Sequence, residues 1–360
     1  MTRAMPHFAQ MSPYALAEMT APDGKPLISL AQNECLRPPS PAAIDAAMQV
    51  LGDGALYPDP DWTALRQAIA SQYGVDAAKI LCGNGSLDLI GCIARVFTGA
   101  ERAVLAPAHA YPFFRIAAQM ANARFDTAPE VAATVSVDAL LAAVRPDTGL
   151  VFLANPGNPT GTRIPRAEIN RLRDGLRPDI LLVVDEAYGE FADPLEGPCF
   201  EMVEGGNTVV LRTFSKAYGM AGFRVGWGVF PPEIAGDLRK ALNPNNISAA
   251  AQAAATAAMA DQAYMVETCA LTARARDAAA AQLREAGIAV LESHTNFLLL
   301  DLGDVTTAKN ADAALRAEGV FLRPQGGAGL PHCLRMTIGA PVAMDAALAQ
   351  LIAWKKEQLA

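Results

Sequence analysis

Four short apolar runs, Ala103 to Ala106, Leu150 to Ala154, Leu181 to Val184 and Thr208 to Leu211, recur along the chain and end at polar residues. Each is continuous rather than alternating, and helical stretches separate them. That pattern predicts strands buried on both faces, in a mostly parallel sheet covered by helices. In such sheets ligands gather at the carboxyl ends of the strands. The residues found there are Pro107-Ala108-His109-Ala110-Tyr111, then Asn155-Pro156-Gly157-Asn158-Pro159-Thr160-Gly161, then Asp185-Glu186-Ala187-Tyr188, and finally Ser215-Lys216. A further segment, Ile80 to Cys82, runs into Gly83-Asn84-Gly85-Ser86-Leu87-Asp88. A glycine turn opening a helix offers backbone N–H groups to an anion. Asp88 stands where a dinucleotide fingerprint wants glycine, so a phosphate cradle is expected rather than a Rossmann site.

The stretch Thr213-Phe214-Ser215-Lys216-Ala217-Tyr218-Gly219-Met220-Ala221-Gly222-Phe223-Arg224 carries the sharpest chemical signal. A lysine just past a buried strand is partly desolvated, which lowers its pKa and leaves an amine able to attack an aldehyde. Ser215 and Arg224 offer a hydroxyl and a bidentate fork for a phosphate. Aldehyde and phosphate on one small molecule point to pyridoxal 5′-phosphate.

Composition narrows the alternatives. Hydrophobic residues make up 52% and charged ones 18%, enough for a substantial core. The net charge of −8, without any basic run, argues against nucleic acid or an anionic membrane as partner. Six cysteines lie scattered without CxxC or Cys/His spacing, so they read as reduced core residues and no metal site is expected. With no signal-like start and no apolar stretch of spanning length, a cytoplasmic protein is expected. Irregular sequence with Pro6, Pro13, Pro22 and Pro26 suggests an arm over residues 1–35, packing on the small domain or on a partner subunit. A large domain is expected over 36–245 and a smaller α+β domain over 246–360, entered by a long helix that opens at Ser248 and breaks before Glu285.

In order along the chain, Asn155-Pro-x-Asn158-Pro-Thr-Gly161, Asp185-Glu-x-Tyr188, Ser215-Lys216-x-x-Gly219-x-x-Gly222-x-Arg224 and Leu334-Arg335 resemble the class I/II aminotransferases. The branch most resembled is that of the histidinol-phosphate aminotransferases, and the likeness runs from about residue 33 to 339. It implies an α/β architecture of the aspartate aminotransferase type, with a mostly parallel sheet in the large domain and a smaller α+β C-terminal domain. It also implies roles. Lys216 would hold the cofactor and shuttle a proton; Asp185 would pair with the pyridinium nitrogen; Asn158 and Tyr188 would donate to the ring hydroxyl. Gly85, Ser86 and Leu87, with Ser215, Arg224 and Thr213, would hold the phosphate. Tyr57 would reach that phosphate from a partner subunit, implying a homodimer with shared sites. Arg323 and Arg335 would bind the acidic group of the substrate, and Asn33 would line its entrance.

Two departures from the family pattern stand out. The entrance run is Asn33-Glu34-Cys35-Leu36-Arg37-Pro38, without the usual tyrosine and glycine, and the ring-stacking position falls on His109. The activity implied is ping-pong transfer of an amino group to a 2-oxo acid such as 2-oxoglutarate. L-Histidinol phosphate is the first candidate donor, and aromatic or other amino acids stay open. A threonine-phosphate decarboxylase on the same scaffold also stays open. A non-catalytic regulator that binds pyridoxal phosphate is a third reading, although the chain has no basic patch and no room for a DNA-binding domain.

Overall fold

The computed structural model describes residues 2–9, 11 and 20–358, so Pro13 of the arm lies outside the described residues. Its main sheet runs in the order Ile80–Gly83, Gly226–Val229, Thr208–Thr213, Leu181–Asp185, Thr148–Ala154, Ala103–Pro107 and Phe125–Ala128. Gly226–Val229 is antiparallel to both neighbours and the remaining pairs are parallel. The four apolar runs sit in the middle of this sheet, buried on both faces as their continuity requires. Their carboxyl ends share one edge with Gly83 and Gly226, which are register partners.

Gly226 decides how tightly that edge is built. A Cβ there would lie 2.0 Å from the backbone nitrogen of Ser86. Its absence lets the helix Ser86–Phe97 start directly against the strand. Gly85, at φ +80°, turns the chain into this helix.

Two large buried clusters, beside a small one of Leu299, Leu330 and Cys333, account for the core of the described residues. The first surrounds the main sheet and extends to Met265 and Cys269. The second contains Ala279, Leu283, Leu298, Leu334, Leu351 and Trp354. It packs under the antiparallel sheet Ala289–Val290, Phe297–Asp301, Leu330–Thr337 and Arg323–Gln325. The helix Gln262–Glu285 contributes Met265 and Cys269 to the first cluster and Ala279 and Leu283 to the second. The preceding helix, Ala249–Ala260, turns Ala251, Ala254, Ala255 and Ala258 into the first core; their small side chains let it lie close on Pro41–Gln49. The expected break is Asp261, which ends that helix and caps the next by accepting the Tyr264 N–H.

The end of the arm belongs to the second unit. Ile28–Ser29 pairs in parallel with Val320–Phe321, and Leu30 is buried in the second cluster. From there the chain crosses to the main sheet through Asn33, held at φ 55°.

Gly226→Ala should force the helix start away from the strand. A loss of about 2 kcal/mol in urea unfolding is expected, the usual range for overpacking a rigid contact. An unchanged midpoint would show that the helix shifts freely.

Candidate active site

One cavity of about 740 Å³ lies between the carboxyl edge of the main sheet and the second unit. Lys216, Asp185, Asn158, Tyr188, Thr213, Ser215 and Arg224 line it, as do Ser86, Leu87, Asn33, Arg323 and Arg335. Thus residues spread over more than three hundred positions meet because strand ends converge.

Lys216 follows the strand Thr208–Thr213 by three residues, and its Nζ donates to the carbonyl oxygens of Asn33 (3.0 Å) and Gln32 (3.3 Å). Burial, then the nearby Arg335 and Arg224 guanidinium groups, push its ammonium down to about 7. Asp185 ends its strand buried, accepting the Ala187 N–H at 3.0 Å. Burial foremost, with the Glu186 charge adding, pushes its carboxyl up to about 7. Among the described residues no ion pair is formed by Asp185.

Tyr188 and Asn158 join the two halves of the site. The Tyr188 hydroxyl accepts from Asn33 Nδ2 (2.7 Å) and from Asn158 Nδ2 (3.4 Å). Arg335 Nη1 donates to Asn158 Oδ1 at 2.7 Å and Nη2 to the Ala31 carbonyl at 2.8 Å. Arg323 is the register partner of Arg335 on the adjacent strand, so both guanidinium groups reach the cavity from the second unit.

Opposite them lies an anion cradle. Thr213 Oγ1 donates to Ser215 Oγ (3.0 Å), and Arg224 Nη1 donates to the same oxygen at 3.4 Å. Arg224 sits at φ 57°, and a Cβ on Gly85 would lie 2.3 Å from its Nη2. The glycine therefore brings the guanidinium against the first amides of the helix Ser86–Phe97, where helix dipole and fork act together on an anion.

His109 is placed differently from the sequence expectation. Ala108 and His109 form a turn after their strand, so the imidazole points across to the second unit. The ring Nδ1 lies 2.8 Å from the Ala328 carbonyl oxygen, and the His109 backbone N–H donates to Glu130 Oε1. His109 does not line the cavity; Tyr111 does, braced edge-on by Phe114, which stacks on Phe152. An aromatic residue just before the Pro112 helix start was the available signal. Glu34, Arg115 and Gln325 also line the cavity without having been singled out. Tyr57 is 88% exposed and away from this chain's cavity. Arg37 turns away too: it stacks on the Tyr264 ring and pairs with Glu267, anchoring the altered entrance run to the long helix.

These residues suit pyridoxal phosphate on structural grounds. The cavity joins an amine whose ammonium is pushed down to about 7, a buried carboxyl in need of a cation, and a glycine-shaped cradle for a dianion. Together with the sheet order, they define a pyridoxal-phosphate enzyme of the aspartate aminotransferase fold.

The comparisons agree. The family model for aminotransferase class I and II matches residues 25–352. A histidinol-phosphate aminotransferase of Paramagnetospirillum magneticum is 42% identical over 345 residues, covering 93% of each chain. One of Rhodospirillum centenum is 39% identical over 355 residues, covering 98% of each. The crystal structure of histidinol-phosphate aminotransferase from Sinorhizobium meliloti in complex with pyridoxal 5′-phosphate superposes with a TM-score of 0.92 at 31% identity, covering 99% of each chain. The chain belongs to the class I and II aminotransferases and is a pyridoxal-phosphate-dependent transaminase.

Because the Lys216 ammonium is pushed down to about 7, its amine is protonated below that pH and free above it. Mixing the cofactor-free protein with pyridoxal phosphate should give imine absorbance at a rate that climbs through about pH 7 and levels near pH 8. A rate that climbs only near pH 10 would mean an ordinary lysine, and Lys216→Ala should give no imine band at any pH.

Proposed function

We propose that this transaminase takes L-histidinol phosphate, or a donor of the same anionic class, and passes its amino group to a 2-oxo acid such as 2-oxoglutarate. The observation that carries the reading is the pair Arg323 and Arg335 on adjacent strands, both lining the cavity that holds Lys216. Two forks on one side of a cavity suit a substrate phosphate or carboxylate bidentately. The relatives at 38–42% identity are histidinol-phosphate aminotransferases, which supports the same donor.

Pyridoxal phosphate supplies, when bound, an aldehyde that captures the donor amine and a protonated ring that draws off the electron pair freed at the α-carbon. The chain does the rest. Asp185 keeps the ring nitrogen protonated, and the cation restores its carboxylate to the ionised form. Asn158 and Tyr188 donate to the ring hydroxyl, and Tyr111 forms the wall over the ring. The amides of Gly85, Ser86 and Leu87, with Thr213, Ser215 and Arg224, fix the phosphate. Lys216 Nζ would take the α-proton of the donor and deliver it to C4′ of the cofactor, the carbon on the other side of the bridging nitrogen. Its two carbonyl acceptors, Gln32 and Asn33, hold it at hand in between.

We also assign a homodimer with shared sites, working in the cytoplasm. Ile44, Met48, Leu51, Leu56 and Tyr57 follow one another along the sequence, exposed and apolar, as a surface covered by a second copy is. No helix among the described residues is long and apolar enough to cross a membrane.

The test is one half-reaction followed by absorbance, with the loaded enzyme and no oxo acid. Histidinol phosphate should convert the cofactor band to that of pyridoxamine phosphate, and 2-oxoglutarate should restore it. Conversion by amino acids but not by histidinol phosphate would sink the donor assignment, while carbon dioxide release from phosphothreonine would replace transamination by decarboxylation. Arg335→Gln should raise the KM for the anionic donor about 30-fold, the worth of a charged hydrogen bond. Tyr57→Phe should weaken cofactor retention about 10-fold without dissociating the dimer; a monomer that retains the cofactor fully would refute the shared site.

A further inference from the structure

Behind the cavity, on the opposite face of the strand that leads to Lys216, lies a fully buried arginine that the chemistry above does not use. Arg212 is 0% exposed. Its Nε and Nη2 donate to Glu186 Oε2 at 2.9 and 2.8 Å, and its Nη1 and Nη2 donate to the two oxygens of Asp193 at 2.8 and 2.7 Å. Glu190 Oε1 lies 3.4 Å from Nη1. The guanidinium has been given room: a Cβ on Gly189 would lie 2.4 Å from its Cζ. Glu186 in turn accepts the Cys199 N–H through its other oxygen.

Burying one cation among three carboxyl groups is costly unless the contacts are good. Glu186 and Asp193 supply them. The buried Glu190 oxygens have no hydrogen-bond partner among the described residues, and burial pushes that carboxyl up to about 7. The location of Arg212 supplies the reason for that cost. Glu186 stands between Asp185 and Tyr188, in a turn whose Gly189 N–H closes on the Glu186 carbonyl at 2.8 Å. Arg212 directly precedes Thr213, the first residue of the anion cradle. One planar fork therefore ties the strand that ends at Thr213 and leads to Ser215 and Lys216 to the turn between Asp185 and Tyr188.

We propose that Arg212, acting through Glu186, is a positioning residue that fixes the spacing between Lys216 and the Asp185–Tyr188 pair, and so sets how readily the cofactor imine is protonated. The inference rests on the roles assigned above to Asp185 and Tyr188. A lysine at 212 keeps the charge but loses the fork; Glu186→Gln keeps the shape and one acceptor but loses the charge pairing.

The experiment is a spectrophotometric pH titration of the imine band in loaded Arg212→Lys, Glu186→Gln and Tyr188→Phe proteins, alongside the unaltered enzyme. The midpoint should rise by about half to one pH unit in the first two, because donation to the ring hydroxyl weakens. In the same two proteins kcat should fall about 10-fold, with KM for the donor changed less than twofold. Glu186→Gln also serves if the lysine variant does not fold. If Tyr188→Phe moves the midpoint and neither of the other two does, Arg212 is only a structural ion pair and the inference is overturned. If Tyr188→Phe leaves the midpoint unmoved, the Tyr188 role fails and the inference falls with it.

Discussion

The site depends on holding an acid and an amine out of water at the ends of neighbouring strands. Asp185 and Lys216 are both driven toward their neutral forms by burial, each toward about 7. A protein core tolerates such groups only when a ligand or partner settles their charge. The flat parallel edge makes the placement possible, since successive strands end side by side while helices close off both faces. Everything else in the cavity answers that situation: backbone carbonyls receive the amine, and a glycine-lined helix start opposite receives an anion.

How far this could be read from the sequence varies with the distance over which each residue is set. Ser215, Lys216 and Arg224 lie within one turn-rich stretch, so their joint use was visible at once. Asp185 and Asn158 were visible because each follows an apolar run that had to be a strand. His109 and Tyr111 were not separable, because a two-residue turn decides which side chain faces the cavity and the sequence does not specify that turn. Which core the helix after residue 245 joins is set by a different factor. An alanine-rich helix such as Ala249–Ala260 has little contrast between its faces, and only packing against Pro41–Gln49 tells which core it joins.

The arm shows the reverse case, in which irregular sequence hides a structural role. Prolines marked residues before 30 as irregular, yet Pro6 opens a short helix, Pro6–Ala9. Leu30 is buried with the second unit, and nothing in the prolines foretold that Asn33, a few residues on, touches Tyr188, Lys216 and Thr337. Asn33 is 1% exposed and left-handed, a position where asparagine is better tolerated than most residues.

The continuous helix Gln262–Glu285 carries residues of both cores, Cys269 toward one end and Leu283 toward the other. At 1.5 Å per residue its far segment is a rigid rod of about 24 Å beyond Cys269. Tilting that rod by about 5° swings its tip by about 2 Å, close to the length of one hydrogen bond. The second unit, with Arg323 and Arg335 on its sheet, rides on that tip. A tilt at the root of the helix would therefore carry both guanidinium groups together past the carboxyl edge of the main sheet, as a crank carries its pin.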